Sequence, residues 1–348
     1  MQLATGIREF LALFRVVNNR DPVMDVDDFD GTLPGLLGIA PKFQLRFSTL
    51  CAKARLQSIA PLLVPEQVAM LRSQSSAATA PFLMGLPSGR NLLPNPEFQA
   101  IQQRRLLHLN ISQCCFQDLC AAHPAKCSQG GEHRSVDDAH LETCHSVKGG
   151  DTTRRHRHLQ DTLVAMLKSA GLKPAMTDAT QDQATRTRLE RANVVTPHRG
   201  GMTRGGDILI PHGLDMHPGP LSKPVVIDLT VVSERVQSHV LDEWPASTAE
   251  ARKRTKYTRM YDAIGYDFQG FAVEIGGRLG PEAEKLIENL QKMWWAKMGK
   301  KAIPDDANWT CPSFSSYWRQ RLVGAVQGWT GAMLVGRARQ VADLRGSR

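Results

Sequence analysis

The run from Pro224 to Val232, Pro-Val-Val-Ile-Asp-Leu-Thr-Val-Val, constrains the chain around it more than any other stretch. Its β-branched residues select a strand. Period-2 alternation then puts Val226, Asp228, Thr230 and Val232 on one face and Val225, Ile227, Leu229 and Val231 on the other. Asp228 therefore stands on a half-buried sheet surface, where a carboxylate needs a cation or a dense hydrogen-bond shell to offset its desolvation. Upstream, Gly205-Gly-Asp207-Ile-Leu-Ile reads as a second strand opened by Asp207, and the Gly/Pro/His-rich loop between the two allows a hairpin. Such a hairpin brings both carboxylates to one side, and hard oxygen ligands converging on a sheet suit Mg²⁺.

Downstream, Ser247-Thr-Ala-Glu250 fits a capping box. The helix it opens carries Lys253, Lys256, Tyr257 and Met260 on neighbouring turns. Two aspartates and a positioned lysine, Lys253 or Lys256, compose a site for metal-assisted phosphodiester hydrolysis, the ammonium stabilising charge on the scissile phosphate. The same residues also fit strand-end caps beside a solvated lysine face.

The order of motifs extends this reading. A Cys/His cluster (Cys120, Cys127, His140, Cys144) is followed by Arg155-His156 opening a helix, then Arg204-Gly-Gly-Asp207-Ile, Val226-Ile-Asp228-Leu-Thr-Val-Val, and Lys253-Arg-Thr-Lys256-Tyr257. Over residues 95–280 this resembles the C-terminal part of non-LTR retrotransposon (reverse transcriptase) polyproteins, where a CCHC zinc knuckle precedes a restriction-like endonuclease of the PD-(D/E)XK type. The resemblance implies Mg²⁺- or Mn²⁺-dependent nicking of DNA, with Asp207 and Asp228 as metal ligands and Lys253 or Lys256 as the catalytic lysine. It also implies structural Zn²⁺ on the Cys/His cluster, a nuclear setting, and DNA, or RNA, as partner. Three departures stand out: Gly206 occupies the place of a proline, Thr230 that of a lysine, and the knuckle spacing is stretched. A lysine moved to the following helix replaces the missing one, as it often does in that family.

Charge agrees with a polyanionic partner: 43 Lys and Arg against 34 Asp and Glu give +9. The 348 residues, 42% of them hydrophobic, suffice for two domains with packed cores. No window reaches the roughly 18–20 apolar residues of a membrane span, and no secretory leader opens the chain, so an intracellular protein without a membrane partner is expected. Of the 7 cysteines, Cys114, Cys115, Cys120, Cys127 and Cys144 crowd one stretch. In a chain this long they read as metal ligands or buried thiols rather than a disulfide framework. Cys120, Cys127, His140 and Cys144 make a Cys₃His set for zinc, with His123 competing for the first place.

The remaining chain divides into a helical region over 1–90, the knuckle region over 95–150 and the nuclease domain over 151–348. Residues 7–17 and 43–71 carry helical spacing, and neither holds chemistry. Asp25-Val-Asp27-Asp28 lies in a polar loop without apolar strands, so no polymerase is expected and the chain reads as a detached element end. A helix over 97–109 turns Phe98, Ile101 and Leu106 inward and Gln102 to Arg105 outward. A helix over 151–170 buries Leu159, Leu163, Met166 and Leu167 and ends at Gly171. Its first turn, including Arg154, Arg155 and His156, together with Arg204, forms a cationic cluster suited to phosphates. Lys173 to Arg204 reads as a polar loop in which Glu190 is a candidate further acid. A strand over 268–275 carrying Glu274, a helix over 282–298 with Pro281 at its start, and a last helix over 315–343 with a solvated basic tail that includes Arg337 complete the chain. The expected architecture is α/β: a restriction-endonuclease-like mixed sheet of about four strands flanked by helices, preceded by the knuckle and the helical N-terminal region.

Overall fold

Why a strand like Pro224–Val232 needs cover on two sides is answered by the computed structural model, which describes residues 61, 63–74, 95–105, 142, 151–175, 185, 187–188, 191–192, 206–214, 222–236, 239, 241–300, 304, 311 and 313–346. The elements are α1 (Pro65–Gln74), α2 (Asn95–Arg105), α3 (Asp151–Ser169), β1 (Ile208–Ile210), β2 (Val225–Val232), α4 (Pro245–Asp262), β3 (Asp267–Glu274), α5 (Pro281–Met298) and α6 (Phe314–Gly346). All belong to the unit Pro65–Arg348 into which the chain divides after Val64. The expected zinc ligands Cys120, Cys127, His140 and Cys144, and also Glu190, Arg204 and residues 1–60, lie outside the described residues.

The protein is mixed α/β with a three-stranded sheet, β1-β2-β3. β1 runs antiparallel to β2, with Ile208 opposite Ile227 and Ile210 opposite Val225. β3 runs parallel to β2 over its whole length, from Val225 opposite Asp267 to Val232 opposite Glu274. A parallel partner demands a crossover, and α4 is that crossover. Of the about four strands expected, three are formed among the described residues, and beside β1 a single bridge has Ala175 exchanging hydrogen bonds of 2.8 and 3.1 Å with Leu209. Pro174, lacking an N–H, stops that ladder on its N-terminal side.

The alternation along β2 sorts its residues between two layers. Val225, Ile227 and Leu229 enter the main core with α3, α5 and α6, where Leu159, Leu163, Leu286 and Phe314 are sealed from solvent. Val226 and Leu209 meet Tyr257 and Tyr261 of α4 on the other side. Tyr261 stacks on Phe268 at 5.7 Å with the rings 7° from parallel. Side chains of this size each contribute about 1.5–3 kcal/mol on burial, so the two tyrosines fix which face of α4 turns to the sheet.

Three local expectations are corrected. α4 starts at Pro245, with Trp244 at the N-cap and no side-chain cap, so Ser247–Glu250 is no capping box. Proline at the first helical position is preset for the helix and opens it earlier than the serine would. On α2, Ile101 is buried, but Phe98 is 46% exposed and Arg104 only 2%. Arg104 turns inward because it forms ion pairs with Glu142 and, at 2.8 Å, with Glu234. Although burial opposes its charge, those two carboxylates hold Arg104 above its ordinary value. Arg337, expected in a solvated basic tail, is 1% exposed.

Among the described residues no helix is long and apolar enough to cross a membrane.

Candidate active site

Asp207 and Asp228 meet at the end of the β1–β2 pair. The chain enters β1 through Gly206 at φ +88°, a value no proline ring can take. A reciprocal clasp joins the two acids. Gly206 N–H donates to Asp228 Oδ1 at 3.2 Å, and Leu229 N–H donates to Asp207 Oδ2 at 2.6 Å. Each carboxylate is thereby tied to the main chain beside the other.

The two side chains take basic partners from opposite layers. Asp228, 5% exposed, faces α4, and Lys253 Nζ lies 2.5 Å from its Oδ2. Burial pushes the Asp228 carboxyl above its ordinary value against the pull of Lys253, and the charge of Asp207 adds to the rise. Apart from that ion pair Oδ2 has no hydrogen-bond donor, and neither has Thr230 Oγ1 on the same strand face. Asp207 leans toward α3, where His156 Nε2 stands 3.2 Å from Oδ2 and 3.4 Å from the Leu229 carbonyl. The hydrogen bond with Asp207 raises the His156 pKa, burial opposing it. One turn along, Gln160 Nε2 donates to the Asp207 carbonyl at 2.6 Å.

Lys253 owes its position to a third acid. Glu250, 1% exposed, accepts hydrogen bonds from Ala272 N (3.1 Å), Glu282 N (2.8 Å) and Ala283 N (3.1 Å). It thus ties α4 to β3 and to the first turn of α5, one helical turn before Lys253. The close approach needs Gly280, because a Cβ there would sit 2.2 Å from Glu250 Oε1. Burial, only partly offset by these three donors, pushes the Glu250 carboxyl up to about 7. Glu274 behaves alike: it accepts from Ala246 N at 3.2 Å, and burial pushes it up to about 7.

The structure separates residues that the motif order grouped. Lys253 reaches Asp228, whereas Lys256 is exposed with its ammonium 4.8 Å from the centre of the Tyr257 ring. Within the expected cationic cluster Arg154 is exposed and His156 joins the aspartates. Arg155 is turned inward at 4% exposure, donating to Thr330 Oγ1 and the Glu142 carbonyl, each at 3.2 Å. Burial pushes its pKa down to about 10. It is thereby withdrawn from any phosphate-binding surface. The reason is helical phase, since Arg155 precedes Leu159, Leu163 and Leu167 at successive four-residue steps and shares their inward stripe. Gln160 carries no motif and the spacing around Glu250 points only to a helix cap; their place on buried helix faces is the one signal that could have pointed to these roles.

Among the described residues no group of three or more His, Cys, Asp and Glu side chains is arranged to hold a metal ion. Comparison of the whole chain with family models, with curated proteins and with solved structures finds no match in any of the three.

Proposed function

We propose that the chain is a metal-dependent endonuclease that nicks DNA by hydrolysing phosphodiester bonds, of the restriction-like PD-(D/E)XK type carried by non-LTR retrotransposons. The observation that carries this reading is the convergence of Asp207, Asp228 and Lys253 at one end of the β1–β2 ladder, with Lys253 Nζ 2.5 Å from Asp228 Oδ2. A β-hairpin followed by a helical crossover to a parallel strand is compatible with a restriction-like core, and that support is fold-level analogy only.

The donor set suits a hard divalent cation. Asp207 and Asp228 would hold Mg²⁺ or Mn²⁺; Asp228 Oδ2 meets the Lys253 ammonium and no other donor, which leaves it a lone pair to offer a cation. The bound ion supplies Lewis-acid polarisation of the phosphate and a more acidic water. Lys253 offers its ammonium to a non-bridging phosphate oxygen, so that charge developing there meets a preset cation. His156 and Gln160 orient Asp207 from α3, and Glu250 positions the helix that carries Lys253. In the same reading Cys120, Cys127, His140 and Cys144 hold a structural zinc ion, and the setting is intracellular and nuclear.

The decisive experiment is nicking of supercoiled plasmid in Mg²⁺ or Mn²⁺. Asp228→Ala should lower the nicking rate by about a thousandfold while DNA binding is kept, one negative charge having been removed. Wild-type protein that binds DNA yet nicks in neither metal would overturn the assignment.

One observation favours a second reading, a nucleic-acid-binding module whose catalysis has decayed. Each aspartate already has its own basic partner, Lys253 on one side and His156 on the other, and Thr230 stands where the family carries a lysine. In that case Asp228→Ala leaves binding unchanged and there is no nicking to lose.

A further inference from the structure

The solvent side of α4 carries chemistry that the aspartate cluster does not use. A groove of about 500 Å³ runs there, lined by Ser247, Thr248, Ala251, Arg252, Thr255 and Lys256. Among the described residues its lining holds two cations, three hydroxyls and no carboxylate. The other basic residues of the helix's middle turns are engaged: Lys253 with Asp228 and Arg254 with Glu282. Arg252 and Lys256 are exposed and form no ion pair with a described carboxylate. They lie four residues apart, on neighbouring turns of one face.

The groove also has a direction. Its lining runs along α4 from Ser247 near the start of the helix to Lys256, one turn from Lys253. At about 1.5 Å per residue the lining spans roughly 13 Å, the axial rise of about four nucleotides of one B-DNA strand. Hydroxyls and cations spaced along such a path are the donors that phosphate oxygens take up without regard to base sequence.

We propose that this face of α4 is the track along which one strand's phosphodiester backbone leaves the Asp207/Asp228/Lys253 cluster, with Arg252 and Lys256 neutralising successive phosphates and Ser247 and Thr248 donating to them. The inference rests on the nuclease reading for the position of the scissile phosphate. It assigns Lys256 to strand binding.

The test measures binding of a fluorescein-labelled DNA duplex by anisotropy in buffer without Mg²⁺, Mn²⁺ or chelator, across a KCl series of about 50–300 mM, so that it reads the track whether or not the protein cleaves. The double variant Arg252→Gln/Lys256→Gln should bind at least about tenfold more weakly near 0.1 M salt, and its slope of log K against log salt should be shallower by about 1.8, two phosphates' worth. The comparison variant Lys285→Gln/Lys292→Gln removes two exposed charges from α5 and should leave the slope as in wild type. Both variants alter exposed side chains, and circular dichroism melting checks that they fold. An unchanged slope in the α4 variant, or an equal drop in the α5 variant, would overturn the track. Tighter binding of a poly-glutamate peptide than of the duplex would overturn it too, by assigning the groove to an acidic protein segment. Failure of the nuclease reading shows separately, as wild-type protein that binds normally and does not nick.

Discussion

Removing Lys253 and removing the charge of Asp228 should have opposite consequences for stability, because the two partners differ in access to water. The Asp228 side chain is 7% exposed and that of Lys253 31%. With Lys253→Met the carboxylate stays behind, buried and bonded only to Gly206 N–H. Breaking a fully buried pair in this way costs about 3–5 kcal/mol. Solvent already screens Lys253, and the Asp228 carboxyl, raised by burial, can take a proton instead, so about 1.5–3 kcal/mol is expected at pH 8. With Asp228→Asn the amide oxygen keeps the Gly206 bond, the desolvated charge is gone and the ammonium swings into water. That variant should be neutral or more stable by up to about 1 kcal/mol. In calorimetric melts at about 2–4 °C per kcal/mol, Lys253→Met should lose roughly 3–12 °C and Asp228→Asn should lie between wild type and about 4 °C above it. Without its lysine Asp228 is an acid whose folded pKa lies above its unfolded value, so the penalty should grow as pH rises and shrink below about pH 5. Equal losses in the two variants, or a larger loss in Asp228→Asn, would refute the reasoning, since they would mean that the pair stabilises the fold as a unit.

Glu250 and Glu274 are both held near 7 against 4.5 in the unfolded chain, so their stabilising contribution is complete below pH 4.5 and is lost as pH rises through about 7. Urea midpoints of wild type should therefore fall between pH 5 and 8, and Glu250→Gln should flatten part of that slope; an unaltered slope would count against the burial of that charge. Gly280→Ala should cost about 1–3 kcal/mol by driving a Cβ into Glu250, and the loss should be non-additive with Glu250→Ala; a Gly280→Ala protein as stable as wild type would contradict the packing. Cys144→Ser should release about one equivalent of zinc in elemental analysis and open residues 114–150 to protease, whereas wild-type protein purified free of zinc would leave only buried thiols in that stretch.

What the amino-acid order determined by itself is local and periodic. The two faces of β2, the stripe of Leu159, Leu163 and Leu167, the proline that starts α5 and the glycine that ends α3 follow from residue types at fixed spacing, and the structure repeats them. The pairing of β1 with β2 was legible for the same reason, since a Gly/Pro loop between two short apolar strands favours a hairpin. The tertiary structure decided the phase of each helix against its neighbours. Lys253 and Lys256 are both cations three residues apart in one lysine-rich helix, and only the packing of Tyr257 and Tyr261 on the sheet turns Lys253 to Asp228 and leaves Lys256 in water. Arg104 and Arg155 read as surface charges because long cations usually are, yet Glu142 and Glu234, distant in sequence, make burial affordable for the first, and Thr330 with the Glu142 carbonyl receives the second. Glu250 shows the same limit. Its three donors come from β3 and α5, residues 272 to 283, so no window around it could reveal that it fastens the helix carrying Lys253. Spacing along the chain encodes which face a residue occupies within its own element, and the free energy of burying charges and rings between elements settles where that face points.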